Sequence, residues 1–521
     1  MELYPWQRDC LEKITDKNCI ISAPTGAGKT KVAYLWADIA GAISRRTHRV
    51  FYTAPIKALA NEKYWELCQI YGEENVGLQT GDATINAKAP VLICTQEIFT
   101  KAYSKKKAPA RVVVDEFHYI FTDSGRTRAY IDGLKTRLPV AVMSATFGEP
   151  EIVAGYLKRV TGNEFVVFTT DFRPTRLEFF QRETDIPSVA ASQAVLIYVF
   201  NVPGAKTLAR AIAERRYAQP ARRIKLTRLA TKYRVNLADF DTISAGVAVY
   251  HGRLQYNQKL FIEECIRKKL VDIVIATSAL GVGVNLPIQT VLFASFNIPT
   301  EEVGTTRLIT KTEFLQMAGR AGRPGFYEVG YVGLLKHSLL PYESAGALVE
   351  NWHRLQDAPI ESPRVRLDID IERILSGTPA QEEIEYVLKN SLPEITDPEE
   401  VERIAARAKA AEDFLSACSE EEVTLMRQLY TPELSLEDNK TLTSIVKREK
   451  FMLRVQDFYS LCKDPRGDYY SLLKAYRVGK HLRRKEVEVL DFNHLVQRIQ
   501  AIDPWVLVRK DEEKENKEVL V

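Results

Sequence analysis

Short apolar runs recur along the first three hundred residues, separated by longer amphipathic stretches. "NCIISA", "HRVFYTA", "PVLICT", "RVVVDE" and "PVAVMSA" come first, and "AVLIYVF", "AGVAVYH", "DIVIAT" and "TVLFASF" follow. Each is short and continuous, as a strand covered on both faces requires. Between the early runs, residues 29–43 and 58–70 carry helical spacing. Strands alternating with helices in this way predict an α/β fold with doubly wound parallel sheets. The pattern breaks at 171–190, "DFRPTRLEFFQRETDIPSVA", which holds two prolines and a run of charges. It then restarts, so two tandem lobes are expected, over 1–170 and 171–335.

After residue 335 the strand signals fade. "DPEEVERIAARAKAAEDFLSAC" and "DNKTLTSIVKREKFMLRVQDFYSLC" each open with an aspartate suited to capping a helix. The region 336–521 is therefore expected to be mainly helical, with a charged, frayed tail.

Composition narrows the class without choosing the chemistry. Apolar residues make up 45% of the 521-residue chain and charged residues 27%, the profile of a globular protein with room for about three domains. The net charge of +4 does not by itself indicate nucleic acid, so any basic surface is local. The seven cysteines are scattered with no CxxC spacing, which argues against a zinc site, an iron–sulfur site or a disulfide framework and fits a reducing cytoplasm. No signal peptide and no membrane span are expected.

The sharpest chemistry lies in "APTGAGKT", Ala23 to Thr30, directly after the run "CIIS" and before a helical stretch. Glycines there let backbone N–H groups turn toward phosphate oxygens, and the helix N-terminus adds positive potential. Thr25, Gly26, Ala27 and Gly28 form the cradle. Lys29 is expected to reach the β- and γ-phosphates and Thr30 to offer its hydroxyl to Mg²⁺.

A second signal explains an otherwise costly pair. "RVVVDEFH" ends a buried strand with adjacent carboxylates, Asp115 and Glu116. Like charges so close are tolerable if a divalent cation and a nucleotide share the site. Asp115 is then a Mg²⁺ ligand and Glu116 the group that orients or deprotonates a water. His118, ahead of "SATF", is expected to form a coupling hydrogen bond with that segment, which holds Ser144 and Thr146. In "QMAGRAGRPG", Arg320 and Arg323 are three apart and would share one face of a helix, with Gln316 on the same face.

Taken in order, these stretches resemble a superfamily-two helicase motor. The superkiller-like branch is the nearest resemblance, through "TAPIKALANEKY", "TGDATINAKAPVLICTQEIF", "DFRPTRLEFF", "ATSALGVGVNLP" and the spacing to "QMAGRAGR". The resemblance covers about 325 residues. It implies two RecA-like lobes with ATP between them, Gln7 reading adenine, Gly283 also at the nucleotide, and Gln316, Arg320 and Arg323 reaching it from the second lobe. It further implies a single strand lying against Pro55, Lys57, Thr80, Gly81, Thr95, Glu97 and Thr277, and a strand-parting hairpin at about 296–314. A winged helix and a ratchet bundle would follow the second lobe, with no room for an arch insertion.

Two basic clusters remain. Residues 206–234 hold ten Lys/Arg and one acid, Glu214. Arg477, Lys480 and Arg484 fall at helical spacing and suit a ratchet helix. The expected activity is ATP-dependent 3′ to 5′ unwinding by a monomer in the cytoplasm, with RNA favoured over DNA. A repair-type DNA helicase and an ATP-driven remodeller that never separates strands are the alternatives.

Overall fold

The computed structural model describes residues 3–420 except 82, 123, 146, 181–193, 217–219, 278–285, 300–305 and 337–344, together with 423, 496 and 497. The first sheet contains β1 (Cys19–Ser22), β2 (Arg49–Ala54), β3 (Val76–Gln79), β4 (Thr84–Ile85), β5 (Val91–Thr95), β6 (Ala110–Val114), β7 (Val140–Ser144) and β8 (Val166–Thr169). Their spatial order is β4-β3-β5-β2-β6-β7-β1-β8. All neighbours are parallel except the short β3–β4 pair. The central strands are buried along their whole length, which is why they read as unbroken apolar runs.

Helices α1 (Pro5–Ile14), α2 (Lys29–Trp36), α3 (Ile39–Ser44), α4 (Lys57–Tyr71), α5 (Gln96–Ala102), α6 (Tyr119–Thr122), α7 (Ser124–Leu134) and α8 (Pro150–Thr161) belong to this lobe. The single helix expected over 29–43 is two. Asp38 breaks it by adopting the left-handed region at φ 48° and accepting the Gly41 N–H at 3.1 Å, a local bond that competes with helix continuation.

The second sheet contains β9 (Arg176–Phe179), β10 (Ala194–Tyr198), β11 (Val247–Tyr250), β12 (Ile273–Ala276), β13 (Ile288–Phe293) and β16 (Val329–Leu334), with the two-stranded pair β14 (Asn297–Pro299) and β15 (Thr306–Leu308) beside it. The order β11-β12-β10-β13-β16-β9 is parallel throughout. Part of the segment read from sequence as a break thus forms an edge strand, β9. Its helices are α9 (Val202–Ala213), α10 (Pro220–Tyr233), α11 (Tyr256–Arg267), α12 (Lys311–Ala318) and α13 (Ala345–Asp357). The α13 side chains Leu348, Trp352 and Leu355 are buried in the same core as β10 and β13, so this lobe's core continues past residue 335.

The hairpin is narrower than the 296–314 read from sequence. Antiparallel pairing runs from Asn297↔Leu308 to Pro299↔Thr306, and by Lys311 the chain is already helical. Thr310 and Glu313 account for the change. The Thr310 hydroxyl accepts the Glu313 N–H at 3.1 Å while Glu313 accepts the Thr310 N–H at 2.8 Å, a reciprocal cap that fixes where α12 starts. Arg307 adds a fork of two 2.8 Å bonds from β15 to Glu313.

The chain divides into two compact units at Pro363/Arg364, and both lobes lie in the first. In the second, α14 (Ile371–Leu375), α15 (Ala380–Asn390) and α16 (Pro398–Ser416) pack together. Asp397 caps α16 through the Glu399 N–H, as its sequence predicts.

Candidate functional site: a nucleotide crevice and a nucleic-acid rim

Six strands of the first sheet end on one rim with a residue of interest. After β1 the chain turns through the phosphate-binding loop. Gly26 (φ 85°) and Gly28 (φ 94°) sit in the left-handed region, and a Cβ on Gly28 would lie 2.7 Å from the Gln7 amide nitrogen. Lys29, the first residue of α2, bends back over the loop and donates to the Ala23 and Pro24 carbonyls at 2.6 and 3.0 Å. Burial lowers its pKa to about 8, against the opposing pull of Glu116 and Asp115. Thr25 and Thr30 are half-buried, and Ala27 is buried.

Gln7 is buried against this loop. Its Oε1 accepts the Tyr4 N–H at 2.9 Å and its Nε2 donates to the Gly28 carbonyl at 3.0 Å. One amide hydrogen and one lone pair remain for a base edge.

Asp115 follows β6 and is buried. Its carboxylate accepts from the Tyr52 hydroxyl and, at 2.9 Å, from the Glu116 N–H. Burial and the Glu116 charge push its pKa up to about 6. Glu116 holds φ at 48°, a strained region for a side-chain-bearing residue, and so leaves the line of the strand. Burial alone would raise its pKa, but His118, Lys29, Arg320 and Lys63 together hold it low. His118 Nδ1 lies 3.2 Å from Ser144 Oγ and 3.4 Å from Glu116 Oε2, so the DEFH segment meets the end of β7. Burial also keeps this imidazole below its ordinary pKa.

The second lobe faces these groups. Pro324 lies 3.2 Å from where a Gly26 Cβ would stand, and Thr25 Cβ lies 3.2 Å from the corresponding point on Gly319. Arg320 is 5% exposed, and its charge acts on Glu116. Burial and neighbouring Arg320 lower the Arg323 pKa to about 9. These arginines do not share a helix face with Gln316. Helix α12 ends at Ala318 with Gly319 as its cap, so only Gln316 is helical. Gly322 (φ 62°) then brings the chain so close to Gly330 that a Cβ there would be 2.5 Å away, and this turn carries the two guanidinium groups.

Sequence reasoning missed the residue that joins the halves. Arg173, in "DFRPTR", donates to the Thr25 carbonyl at 3.0 Å and to the Gly319 and Ala321 carbonyls at 3.1 and 2.6 Å. Its Nε donates to the Thr175 carbonyl at 2.9 Å, and burial lowers its pKa to about 10. Lys63 was also missed. It pairs with Glu66 at 2.7 Å, and its charge acts on Asp115. Both lie inside quoted blocks, but nothing in a linear pattern says which cation turns inward.

On the same rim, Pro55 follows β2, Thr80 and Gly81 follow β3, and Thr95 ends β5 with Glu97 just beyond. Lys57 is exposed, and its Nζ lies 3.5 Å from where a Gly81 Cβ would be. Thr277 follows β12 on the second sheet. The expected roles of Thr146, Gly283, Arg477, Lys480 and Arg484, and the hairpin tip at 300–305, fall outside the described residues.

Residues 4–153 match the DEAD/DEAH box helicase family and residues 222–325 the helicase conserved C-terminal domain. The ATP-dependent RNA helicase mtr4 of Schizosaccharomyces pombe is 26% identical over 409 residues, 63% of this chain and 36% of that protein. The ATP-dependent DNA helicase Hel308 of Pyrococcus horikoshii is 28% identical over 369 residues, 63% of this chain and 50% of that protein. Together these matches support a superfamily-two helicase of the superkiller-like branch. A solved structure of the Mycobacterium smegmatis helicase Lhr bound to ssDNA and AMP-PNP shares this chain's fold, with a TM-score of 0.53 at 20% identity over 80% of this chain and 56% of that one. The chain spans between about a third and a half of the length of the two curated relatives. No described helix is long and apolar enough to cross a membrane.

Proposed function

We propose that this helicase is an ATP-driven motor that moves 3′ to 5′ along one strand and unwinds duplexes, with RNA preferred to DNA. The observation that carries this is the divided site: Lys29, Asp115 and Glu116 belong to one lobe, and Arg320 and Arg323 reach the same crevice from the other. A triphosphate held by both halves ties hydrolysis to their relative movement.

In this proposal the loop amides and Lys29 bind the β- and γ-phosphates. Glu116 orients the attacking water and takes its proton. The guanidinium groups of Arg320 and Arg323 meet the charge spreading over the transferred phosphoryl group. Thr30 and Asp115 offer the hard oxygen ligands that Mg²⁺ prefers, and Asp115, raised to about 6 by burial beside Glu116, has the environment a dication would relieve. Bound there, Mg²⁺ would neutralise phosphate charge. His118 and Ser144 would carry the state of Glu116 to β7. Pro55, Lys57, Thr80, Gly81, Thr95, Glu97 and Thr277 would lie along the strand's backbone, contacts that position without reading bases. We place the protein in the cytoplasm as a monomer.

A second substrate, DNA, is supported by the Hel308 match, whose 28% identity exceeds the 26% of mtr4. ATPase stimulation and unwinding measured side by side on RNA and DNA duplexes with 3′ or 5′ overhangs, at fixed salt, test both. Unwinding of 3′-tailed RNA above all other substrates is expected. Equal or greater activity on 3′-tailed DNA reverses the preference, and strong stimulation without strand separation on any duplex replaces the motor with a remodeller.

A further inference from the structure

Helix α10 has an unusual charge distribution. It buries Leu226, Leu229 and Ala230 in the core of the second lobe. Its other side exposes Arg223, Lys225, Arg228 and Lys232. Lys225, Arg228 and Lys232 stand at i, i+3 and i+7, so at 3.6 residues per turn they form one ridge. Arg228 and Lys232, four apart, repel each other, which disfavours the helix.

Two acids of this lobe are committed elsewhere. Asp272 pairs with Arg216 and, at 3.8 Å, with Arg222, while Asp241 pairs with Arg210 at 2.8 Å. The three ridge cations have no acidic partner among the described residues. A row of cations kept without acids, at a cost to its own helix, suits a polyanion.

The ridge leads to a defined place. At the C-terminal end of α10 the Tyr233 and Arg234 carbonyls accept from the Asn257 side-chain amide at 3.3 and 3.2 Å. Asn257 lies in the first turn of α11, just after the loop that leaves β11. That loop carries exposed Arg253, and the last residue of β11, Tyr250, accepts the Thr277 N–H at 3.1 Å. A basic path therefore continues from the Thr277 rim through Arg253 and Arg234 to Lys232, Arg228 and Lys225.

From this continuity we infer that the outer face of α10 is a second backbone grip, which holds phosphates of a nucleic-acid segment outside the crevice. The inference rests on the proposed motor function and adds a contact to it. Long flexible cations without an accompanying base-reading pocket give sequence-independent attraction. An anionic lipid surface fits less well, because α10 spends its apolar face on the core and, among its described residues, leaves Ile224 as the exposed large apolar side chain.

The test compares two labelled RNAs on the full-length protein: a short single strand that fills only the crevice, and the same strand joined to a duplex arm. Affinity is measured by anisotropy across a salt series. For the wild type, the armed RNA is expected to show the steeper dependence of log affinity on log salt. The triple variant Lys225→Glu, Arg228→Glu, Lys232→Glu is expected to lower the armed slope by about 2–3, close to one per lost phosphate contact. The corresponding triple Gln variant removes the same three contacts and lowers the slope comparably, and both melt like the wild type because the ridge is exposed. The short strand loses far less affinity than the armed one. An unchanged armed slope, or equal losses on both RNAs, overturns the inference. So does capture of phosphatidylserine vesicles that the variant abolishes while armed-RNA binding persists. Absence of any RNA- or DNA-stimulated ATPase in the wild type would instead sink the motor proposal on which it rests.

Discussion

The two lobes deliver their chemistry by different means. In the first, the groups stand at strand ends: the phosphate loop after β1, Pro55 after β2, Thr80 after β3, Thr95 on β5, Asp115 after β6 and Ser144 on β7. Strands locked in a sheet fix those positions to each other. In the second, Arg320 and Arg323 ride a tight turn between α12 and β16, and burial acts on both guanidinium groups there. One half is a rigid bed and the other a jointed arm. A site built this way can be assembled and dismantled without disturbing either core.

The largest effect should come from the arm. Arg323→Ala is expected to lower nucleic-acid-stimulated kcat by about 10³–10⁵, the range for a guanidinium that meets a transferred phosphoryl group, with ATP affinity changed far less. A KM defect with kcat intact would show that Arg323 binds the ground state only.

The bed comes next. Glu116→Gln keeps shape and removes the base, so a loss of about 10²–10⁴ in kcat is expected with nucleotide binding retained. Near-normal single-turnover hydrolysis would remove Glu116 from the proton-transfer role.

The joint follows. Arg173→Ala cuts the three bonds that register Thr25 against Gly319 and Ala321. Misplacement by about 1 Å can cost on the order of 10²-fold in rate, and kcat should fall while ATP still binds to the first lobe. Lys, whose three donors sit on one nitrogen and cannot span the fork, should rescue little. If Arg173→Ala turns over like the wild type, the lobes are registered by other contacts.

The smallest effect concerns stability. Burial raises the Glu62 pKa from 4.5 to about 7, outweighing nearby Lys63 and Arg320, with Glu263 and Glu66 adding to the rise. Between those values the folded chain holds a proton the unfolded chain has lost, so stability falls as pH rises through this window. Glu62→Gln should therefore raise the unfolding free energy at pH 8 by about 1–3 kcal/mol, and change it little at pH 4. A gain at pH 4 equal to that at pH 8 would place the origin elsewhere.

Legibility from sequence followed the same division. The first lobe was readable because its strands are buried along both faces and its chemistry sits one step beyond each. Lys29, Asp115, His118 and Ser144 are brought together where the pattern pointed. The arm was not readable in the same way. A three-residue spacing suggested a helix, but Gly319 and Gly322 end one and fold the chain back, and only close backbone approach reveals that. Arg173 escaped because it lies among irregular charged residues, where periodicity says nothing about which guanidinium turns inward.

The N-terminus of α12 has an unusual owner. Glu361 accepts from the Lys311 and Thr312 N–H groups and from the Thr312 hydroxyl at 3.0 Å, while Lys311 Nζ donates to the Leu355 and Gln356 carbonyls at 2.6 Å. A shortened protein that stops soon after β16 would thus lose the anion that seats this helix, together with Trp352. Anyone trimming the molecule to a two-lobe ATPase should keep residues through at least 361, or Gln316 and the turn behind it will be left on an unanchored stem.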